Sequence, residues 1–244
     1  MTPWPYPRWI AHRGAGKLAP ENTLAAFRLG ASHGYRAFEC DVKLSTDGVP
    51  YLMHDDTLER TTSSHGDAGA CSWHTLSRLD AGSWHSRAYA GEPPPTLDAV
   101  ARYCIANQFQ LNIEIKPIPG AEEHTGRVVA QEAARLWAGQ AVPPLLTSFR
   151  PDALAAAMLA VPALPRGLLI DTLWEDWMGV AQQLQCAAVV GNFRLFDAVL
   201  VQQIKSMSMR VMAYTVNEPA DAERLRALGL DGLITDAVDR FPPT

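Results

Sequence analysis

The feature of the sequence that most constrains its fold is a regular alternation of short apolar runs with segments of helical periodicity, which begins at Leu111. The apolar runs are LNIEI, PLLTSF, RGLLID, AAVVGNF, RVMAYTV and DGLIT. The segments between them, such as TGRVVAQEAARLWAG and PADAERLRALG, repeat apolar residues at helical spacing. This βα repetition predicts a parallel sheet with helices packed outside it.

The amino-terminal part of the chain contributes two more strands and raises a question of count. It contains RWIAH, the helical segment NTLAAFRLGASHG, the run AFECDVKLS and a ninth apolar run, VPYLMHD. Only the STDG region separates the last two runs, whereas parallel neighbours need a crossover of about a dozen residues and Asp-Gly turns join antiparallel strands. We therefore expect residues 42–54 to form a hairpin turning at Asp47 and Gly48. Eight parallel strands remain, which predicts a (β/α)8 TIM-type barrel, with His54 opposite residues 39–41.

The length and composition are those of one globular unit. With 244 residues, of which 48% are hydrophobic, the chain can bury a sizeable core, and we expect a single barrel domain over residues 1–244. Residues 56–95 are rich in Thr, Ser, Gly and His, and they predict a small insertion at the barrel mouth. Trp73 and Trp84 leave open whether it forms a cap or a small satellite core. Thr96 is expected to cap the helix TLDAVARYCIANQ that follows.

Charge and hydropathy exclude several classes of partner. The net charge is −5 and no basic run is present, which argues against nucleic-acid binding. No stretch approaches the roughly 18 apolar residues of a membrane helix. The start of the chain lacks the pattern of a secretory signal, and the four cysteines lack metal-ligand spacing. We expect a cytoplasmic protein with reduced thiols, no stable membrane insertion and an oligomeric state that the sequence leaves open.

Two pairs of charged residues fall at the carboxyl ends of predicted strands. Glu39 and Asp41 are two positions apart, and so are Glu114 and Lys116, so each pair points to one face of its strand. Barrel enzymes place their active sites at this end. Three converging carboxylates would suit Mg²⁺ or Ca²⁺. The alternative is that the pairs are solvated at the rim or matched with a neighbouring Lys.

Two histidines and two cations are expected beside these carboxylates. His12 ends the first predicted strand, and His54 ends the hairpin arm; imidazoles suit proton transfer near neutral pH. Arg13 and Lys116 could contact phosphate, although Arg13 could also be an ion-pair partner. Glu21 precedes Asn22 and Thr23, either of which can cap the first helix. Glu21 could favour the helix amino terminus or reach into the site to orient Arg13.

Together these segments resemble the glycerophosphodiester phosphodiesterase family. The segments AHRGAGKLAPENTLAAF, AFECDVKLSTDGVPYLMHDDTLERTT, NIEIKP, TSF, AYTVN and DGLITD occur in the family's order and cover nearly the whole chain. The resemblance is to compact, cytoplasmic bacterial members. It implies a variant TIM barrel that hydrolyses glycerophosphodiesters, such as deacylated phospholipids, to sn-glycerol 3-phosphate and an alcohol.

The resemblance also implies a role for each candidate residue. The implied ligands of one divalent cation, Mg²⁺ or Ca²⁺ with Mn²⁺ as a third candidate, are Glu39, Asp41 and Glu114. The implied acid/base pair is His12 and His54. Arg13 and Lys116 correspond to phosphate contacts, Glu21 to the edge of the site, and Tyr214 to an aromatic wall where many relatives carry Trp. Which histidine is the base, and whether water or the substrate's glycerol hydroxyl attacks, stays open.

Two other functions compete with this interpretation. The first is a related phospholipase D-like phosphodiesterase that acts on lysophospholipids or sphingolipids; such members are usually secreted and disulfide-bonded. The second is a barrel that binds a ligand without turnover, although degenerate enzymes usually lose a metal ligand or a catalytic histidine, and both are present here.

Overall fold

The computed structural model describes residues 4–243. Within them, the strands β1 to β9 span Trp9–Ala11, Ala37–Leu44, Pro50–Leu52, Gln110–Ile115, Leu145–Ser148, Arg166–Ile170, Ala188–Asn192, Arg210–Tyr214 and Gly232–Thr235. The helices α1 to α8 span Leu24–Ser32, Trp73–Leu76, Leu97–Ala106, Glu122–Leu136, Pro151–Ala160, Trp177–Gln183, Ala198–Ser206 and Pro219–Ala227. Short 3₁₀ turns cover Gly16–Leu18, Ala68–Ala70, Arg87–Tyr89 and Phe193–Leu195.

All strands except β3 are parallel and form a closed barrel. Each of them is hydrogen-bonded to its neighbours in the order β1, β9, β8, β7, β6, β5, β4, β2, and β1 also pairs with β2. The closing pairs are Trp9 with Leu233 and Ala11 with Phe38. The predicted eight-stranded TIM-type barrel is therefore confirmed.

The ninth strand, β3, is the returning arm of the predicted hairpin. It runs antiparallel to β2, with Val42 opposite Leu52 and Leu44 opposite Pro50. Gly48 adopts a φ of +78° in the turn, a conformation that glycine reaches without a steric penalty. The backbone N–H of Met53 donates to the carbonyl of Asp41 at 3.0 Å, so the chain returns to the mouth of the barrel at His54.

The helices begin where the sequence supplies caps. The side chains of Thr23, Thr96 and Asp197 each accept a hydrogen bond from a backbone N–H in the first turn of α1, α3 and α7. This confirms the expected cap at Thr96. Pro151 and Pro219 are the first residues of α5 and α8, where a missing N–H costs nothing.

The barrel interior is apolar at its amino end. Strand residues that include the first positions of β2, β5 and β7 pack into one cluster, which comprises Tyr6, Ile10, Ala37, Leu145, Leu169, Ala188, Val190, Met212 and Ile234. A second, larger cluster includes residues that alternate with these along the strands, such as Trp9 and Ala11, together with residues of the helices. This alternation follows from the period-two geometry of a strand.

Residues 56–95, the mouth segment, connect the hairpin to α3. Its apolar residues Leu58, Ala68 and Leu76 pack against Tyr51 and Met53 in a small cluster shared with the hairpin. The mouth segment therefore packs against the hairpin, and its role as a cap stays a prediction. A single domain over residues 1–244 stays a prediction, and residues 1–3 and 244 lie outside the described part.

All four cysteines are free. Across residues 4–243, none of the helices combines the length and the apolar character that a membrane crossing requires.

Candidate active site

Three carboxylates from β2 and β4 meet inside the barrel near its carboxyl end. Glu39 and Asp41 share the inner face of β2, and Asp41 is paired across strands with Glu114 of β4. One carboxylate oxygen from each of the three residues lies within 4.8 Å of the other two. We call Glu39, Asp41 and Glu114 the carboxylate cluster.

The carboxylate cluster has the donor chemistry of a site for a hard divalent cation. Glu39 Oε1 and Asp41 Oδ1 are buried and have no hydrogen-bond partner among residues 4–243. A buried acceptor without a donor costs roughly 1–3 kcal/mol, and carboxylate oxygens are the ligands that Mg²⁺ and Ca²⁺ prefer. The residues present therefore fit a metal ion of this class.

The pKa values of the cluster reflect an excess of buried negative charge. Burial, with the charges of Asp41 and Glu114, raises the pKa of Glu39 well above its usual value. Burial and the charge of Asp41 likewise raise the pKa of Glu114 to about 7. Burial opposes ionisation of Asp41 too, but Arg13 and Lys116 outweigh it and lower the pKa of Asp41 to about 2. A cation would favour the ionised form of all three groups.

Arg13 lies directly above the cluster. It has a left-handed backbone conformation with a φ of +50°, and its backbone N–H donates to Glu39 Oε2 at 3.1 Å. Its guanidinium places Nε 3.2 Å from Asp41 Oδ2 and donates from Nη1 to Glu21 Oε1 at 2.8 Å. Of the two roles considered for Glu21, the contact with Arg13 is the one that the structure contains.

Lys116 and Asn22 flank the cluster. Lys116 Nζ lies 3.1 Å from Glu114 Oε1 and 3.7 Å from Asp41 Oδ1. Asn22 donates from Nδ2 to Asp41 Oδ2 at 2.8 Å and accepts from the backbone N–H of Asp41 at 3.1 Å. Because Thr23 is the helix cap, the Asn22 side chain is available to bond Asp41.

The two histidines have the same arrangement. His12 Nδ1 lies 2.6 Å from Asp236 Oδ1, and His54 Nδ1 lies 2.7 Å from Asp55 Oδ1. An ionised carboxylate only accepts hydrogen bonds, so each contact favours a proton on Nδ1 and leaves Nε2 available. His12 Nε2 is 3.7 Å from Glu39 Oε2. Both imidazoles line the same cavity.

Electrostatics support these assignments of the protons. Burial alone would raise the pKa of Asp236, but hydrogen bonding and the charge of His12 lower it below its usual value. Burial lowers the pKa of His54, and the charge of Asp41 offsets only part of this effect. Both observations favour an ionised Asp236 and a neutral His54 near pH 7.

The cavity above the cluster has a volume of about 180 Å³. Its polar side contains His12, Arg13, Glu39, His54, Asn112, Glu114, Lys116 and Thr147. Its other side contains Phe149 and Tyr214, whose rings meet edge to face at 5.8 Å. The Tyr214 hydroxyl donates to the carbonyl of Ile170 at 3.1 Å, which fixes the ring as part of the wall. A polar floor faces an apolar wall.

The structure brings all nine residues predicted from sequence into one region. Seven of them line the cavity, namely His12, Arg13, Glu39, His54, Glu114, Lys116 and Tyr214. Asp41 belongs to the carboxylate cluster, and Glu21 contacts Arg13.

Sequence reasoning missed the residues that hold these groups in place. Asp55 and Asp236 hold the histidines, Asn22 holds Asp41, and Arg60 of the mouth segment contacts both Asp55 and Glu21. All four lie inside segments already singled out, since Asn22 belongs to APENT, Asp55 follows His54, Arg60 belongs to LERTT and Asp236 ends DGLITD. For Asn22 and Asp55, the available signal was an amide or carboxylate directly after a candidate residue.

Fold and site together define a barrel enzyme, since such enzymes carry their polar machinery at the carboxyl ends of the strands. The model of the Glycerophosphoryl diester phosphodiesterase family matches residues 12–240. The chain belongs to this family, and its identification as an enzyme of the phosphoric diester hydrolase class is confirmed.

Individual relatives agree with the family match. A glycerophosphodiester phosphodiesterase of Caldanaerobacter subterraneus subsp. tengcongensis is 32% identical over 93% of this chain and 93% of its own length. A phosphodiesterase of Oleispira antarctica, solved in complex with the product sn-glycerol-3-phosphate, is 34% identical with a TM-score of 0.90, over 96% of this chain and 95% of that one. A glycerophosphodiester phosphodiesterase of Agrobacterium tumefaciens has a TM-score of 0.81 at 24% identity, over 98% of this chain and all of its own, a likeness of fold alone.

Proposed function

We propose that this enzyme hydrolyses glycerophosphodiesters, the products of phospholipid deacylation, to sn-glycerol 3-phosphate and an alcohol. The observation that carries the proposal is the pair of carboxylate-held imidazoles, His12 and His54, in one cavity with the carboxylate cluster and two cations. The product in the Oleispira antarctica structure supports the same product here.

The carboxylate cluster would hold one divalent cation. Mg²⁺ and Ca²⁺ fit its three carboxylates best, with Mn²⁺ as a third candidate. When bound, such an ion would act as a Lewis acid on the phosphate group and offset the negative charge that develops in the transition state. The support for this assignment is the pair of buried carboxylate oxygens without hydrogen-bond donors and the raised pKa of Glu39 and Glu114.

The histidines would move the two protons of the reaction. One imidazole accepts the proton of the attacking hydroxyl as its oxygen bonds to phosphorus, and the other donates a proton to the alcohol oxygen as its P–O bond breaks. Asp55 and Asp236 fix the ring orientations and stabilise the imidazolium forms. Each histidine therefore presents Nε2 to the substrate.

The remaining residues would bind and orient the diester. Arg13 and Lys116 would contact its phosphate oxygens, Arg13 through its planar guanidinium and Lys116 as a point charge. Glu21 would position Arg13 through the 2.8 Å hydrogen bond between them. Tyr214, with Phe149, would form an apolar wall for the glycerol or the alcohol portion.

A single activity panel tests the proposal. Glycerophosphocholine, glycerophosphoethanolamine, glycerophosphoinositol and glycerophosphoglycerol are each incubated with Mg²⁺, Mn²⁺ or Ca²⁺, and sn-glycerol 3-phosphate is measured. We expect metal-dependent release from at least one diester, abolished by a chelator and strongly reduced in Glu114→Gln.

The panel also separates the competing functions. Release of choline from lysophosphatidylcholine, in place of glycerophosphocholine turnover, would favour the phospholipase D-like alternative. Binding without turnover under every condition would favour a non-catalytic barrel. The proposed activity is favoured by the free cysteines and by the presence of carboxylates and histidines at the expected positions.

A further inference from the structure

Arg60 connects the two sides of the cavity mouth. It belongs to the mouth segment, and its guanidinium binds two carboxylates at once. Nε and Nη2 donate to Asp55 Oδ2 and Oδ1 at 2.6 and 2.8 Å. Nη1 and Nη2 donate to Glu21 Oε2 and Oε1, each at 2.8 Å. Four of the five N–H groups that an arginine carries are used in these contacts.

Each of these carboxylates also holds a group of the site. Glu21 Oε1, which accepts from Arg60, accepts from Arg13 Nη1 at 2.8 Å as well. Asp55 Oδ1, which accepts from Arg60, lies 2.7 Å from His54 Nδ1. A continuous path of hydrogen bonds therefore runs from His54 through Asp55, Arg60 and Glu21 to Arg13.

The chemistry of this path requires an arginine. A planar guanidinium with two bidentate contacts fixes both the distance and the relative angle of its two carboxylate partners. A lysine ammonium would keep the charge but not the paired geometry. Hydrogen bonding to Arg60 is also the largest cause of the lowered pKa of Asp55, which keeps that carboxylate ionised as an acceptor for His54.

We propose that Arg60 is a positioning residue that holds His54 and Arg13 in one fixed geometry across the mouth of the cavity. The inference rests on the proposed function, because those two residues must meet the same diester. It gives the mouth segment a role in catalysis, because Arg60 bonds both Asp55, which contacts His54, and Glu21, which contacts Arg13.

The first experiment compares Arg60→Lys and Arg60→Gln with a matched control. The control is Arg102→Lys, because Arg102 also makes two contacts with one carboxylate, Asp98, at 2.6 and 3.2 Å, but on the exposed face of α3. We expect both Arg60 variants to lose about 10–100-fold in kcat/KM, the usual cost of removing the support of a functional group. Arg102→Lys should stay within about twofold of the wild type. Two Arg60 variants within threefold of the wild type would overturn the proposal.

The second experiment separates positioning from a general effect on stability. Arg60→Gln is introduced into wild-type enzyme and into His54→Ala, and both pairs are assayed with bis(4-nitrophenyl) phosphate, whose good leaving group keeps weak activity measurable. If Arg60 acts partly through His54, its substitution should cost at least threefold less in the His54→Ala background. An equal loss in both backgrounds would overturn the proposed action of Arg60 through His54.

A third measurement does not depend on activity. In protein labelled with ¹⁵N-histidine, the Nδ1 resonance of His54 reports its hydrogen bond to Asp55. We expect Arg60→Gln to shift this resonance and Arg102→Lys to leave it in place. An unchanged resonance would overturn the inference even in an inactive protein. Absence of all diesterase activity in the wild type, with the shift present, would instead contradict the proposed function alone.

Discussion

The two ends of the barrel interior are built from the same strands and differ in what their side chains do. The inner face of β2 begins with Ala37, which packs in the apolar cluster with Ile10 and Leu145, and it continues with Glu39 and Asp41. Along the inner face of β2, an apolar side chain is therefore followed at the next inward-facing position by a buried carboxylate. The comparison indicates that stability is concentrated at the amino end and chemistry at the carboxyl end. Substitutions at the carboxyl end should therefore lower turnover, whereas those at the amino end should lower the free energy of unfolding.

The largest effect is expected at the carboxyl end, for the histidines. Each of His12→Ala and His54→Ala should reduce kcat by about 10²–10⁴-fold, the usual contribution of a general acid or base. The double variant should be little worse than the poorer single one, because members of one catalytic unit are non-additive. Steady-state kinetics on glycerophosphocholine measure this.

Metal titration provides the control for the histidine variants. Affinity for the cation should change little in either, since the proposed ligands are carboxylates. A His54→Ala enzyme with near-normal turnover of glycerophosphocholine would contradict the assignment of His54.

The opposite result is expected at the amino end. Leu145 is almost fully buried in the apolar cluster, and Leu145→Ala should lower the free energy of unfolding by about 2–5 kcal/mol. Denaturant unfolding measures the loss, and kcat well below the new melting temperature should stay within a few-fold of the wild type. A tenfold fall in kcat of the folded variant would show that the two ends are coupled.

Glu114→Gln tests whether cation binding and protein stability can be separated within the carboxylate cluster. It should weaken cation binding by at least about 10–100-fold, since even indirect support of a metal ligand is worth this much. Stability without metal should not fall, because the substitution removes a carboxyl group whose ionisation is opposed by burial and by the charge of Asp41. Calorimetric titration and thermal unfolding in chelator measure the two quantities; an unchanged metal affinity would refute the ligand role.

The smallest effect is a dependence of metal stabilisation on pH. The pKa of Glu114 is about 7 in the folded chain, above its usual value of 4.5, so the folded state retains this proton where the unfolded state loses it. As pH rises between these values, the metal-free protein should lose stability. Cation binding requires the ionised form, so affinity should fall as pH drops below about 7.

Thermal unfolding with and without Mg²⁺ measures this pH effect. The increase in melting temperature on adding the ion should be larger at pH 7.5 than at pH 5.5. Glu114→Gln should flatten the difference, and an increase that is the same at both pH values would contradict the buried charge of the cluster.

The parts predictable from sequence are those set by local geometry. Period-two spacing placed Glu39 and Asp41 on one face, and the Asp47 and Gly48 turn predicted the hairpin that brings His54 beside β2. Strand ends were less exact: β3 stops at Leu52, although the apolar run continues to His54. Side-chain alternation predicts which residues share a face of a strand, but not the residue at which the hydrogen bonds between strands end.

The contacts that sequence could not predict join distant parts of the chain. Arg60 and Glu21 are 39 residues apart, and His12 and Asp236 are 224 residues apart. Residues as exposed and polar as Arg60 have many possible partners, and only the closed barrel selects among them. Sequence spacing therefore predicts neighbours within one element, but not contacts that form only when distant segments fold together.

The hydrogen bond between His12 and Asp236 limits when the site can form during synthesis on the ribosome. Chains are synthesised from the amino terminus at about 5–20 residues per second, so His12 emerges on the order of tens of seconds before its carboxylate partner. During that interval β1 also lacks β9, its neighbour in the closed barrel. A nascent or prematurely terminated chain that stops before Asp236 carries a histidine without the group that orients it. The orientation of His12 by its carboxylate thus requires synthesis through Asp236.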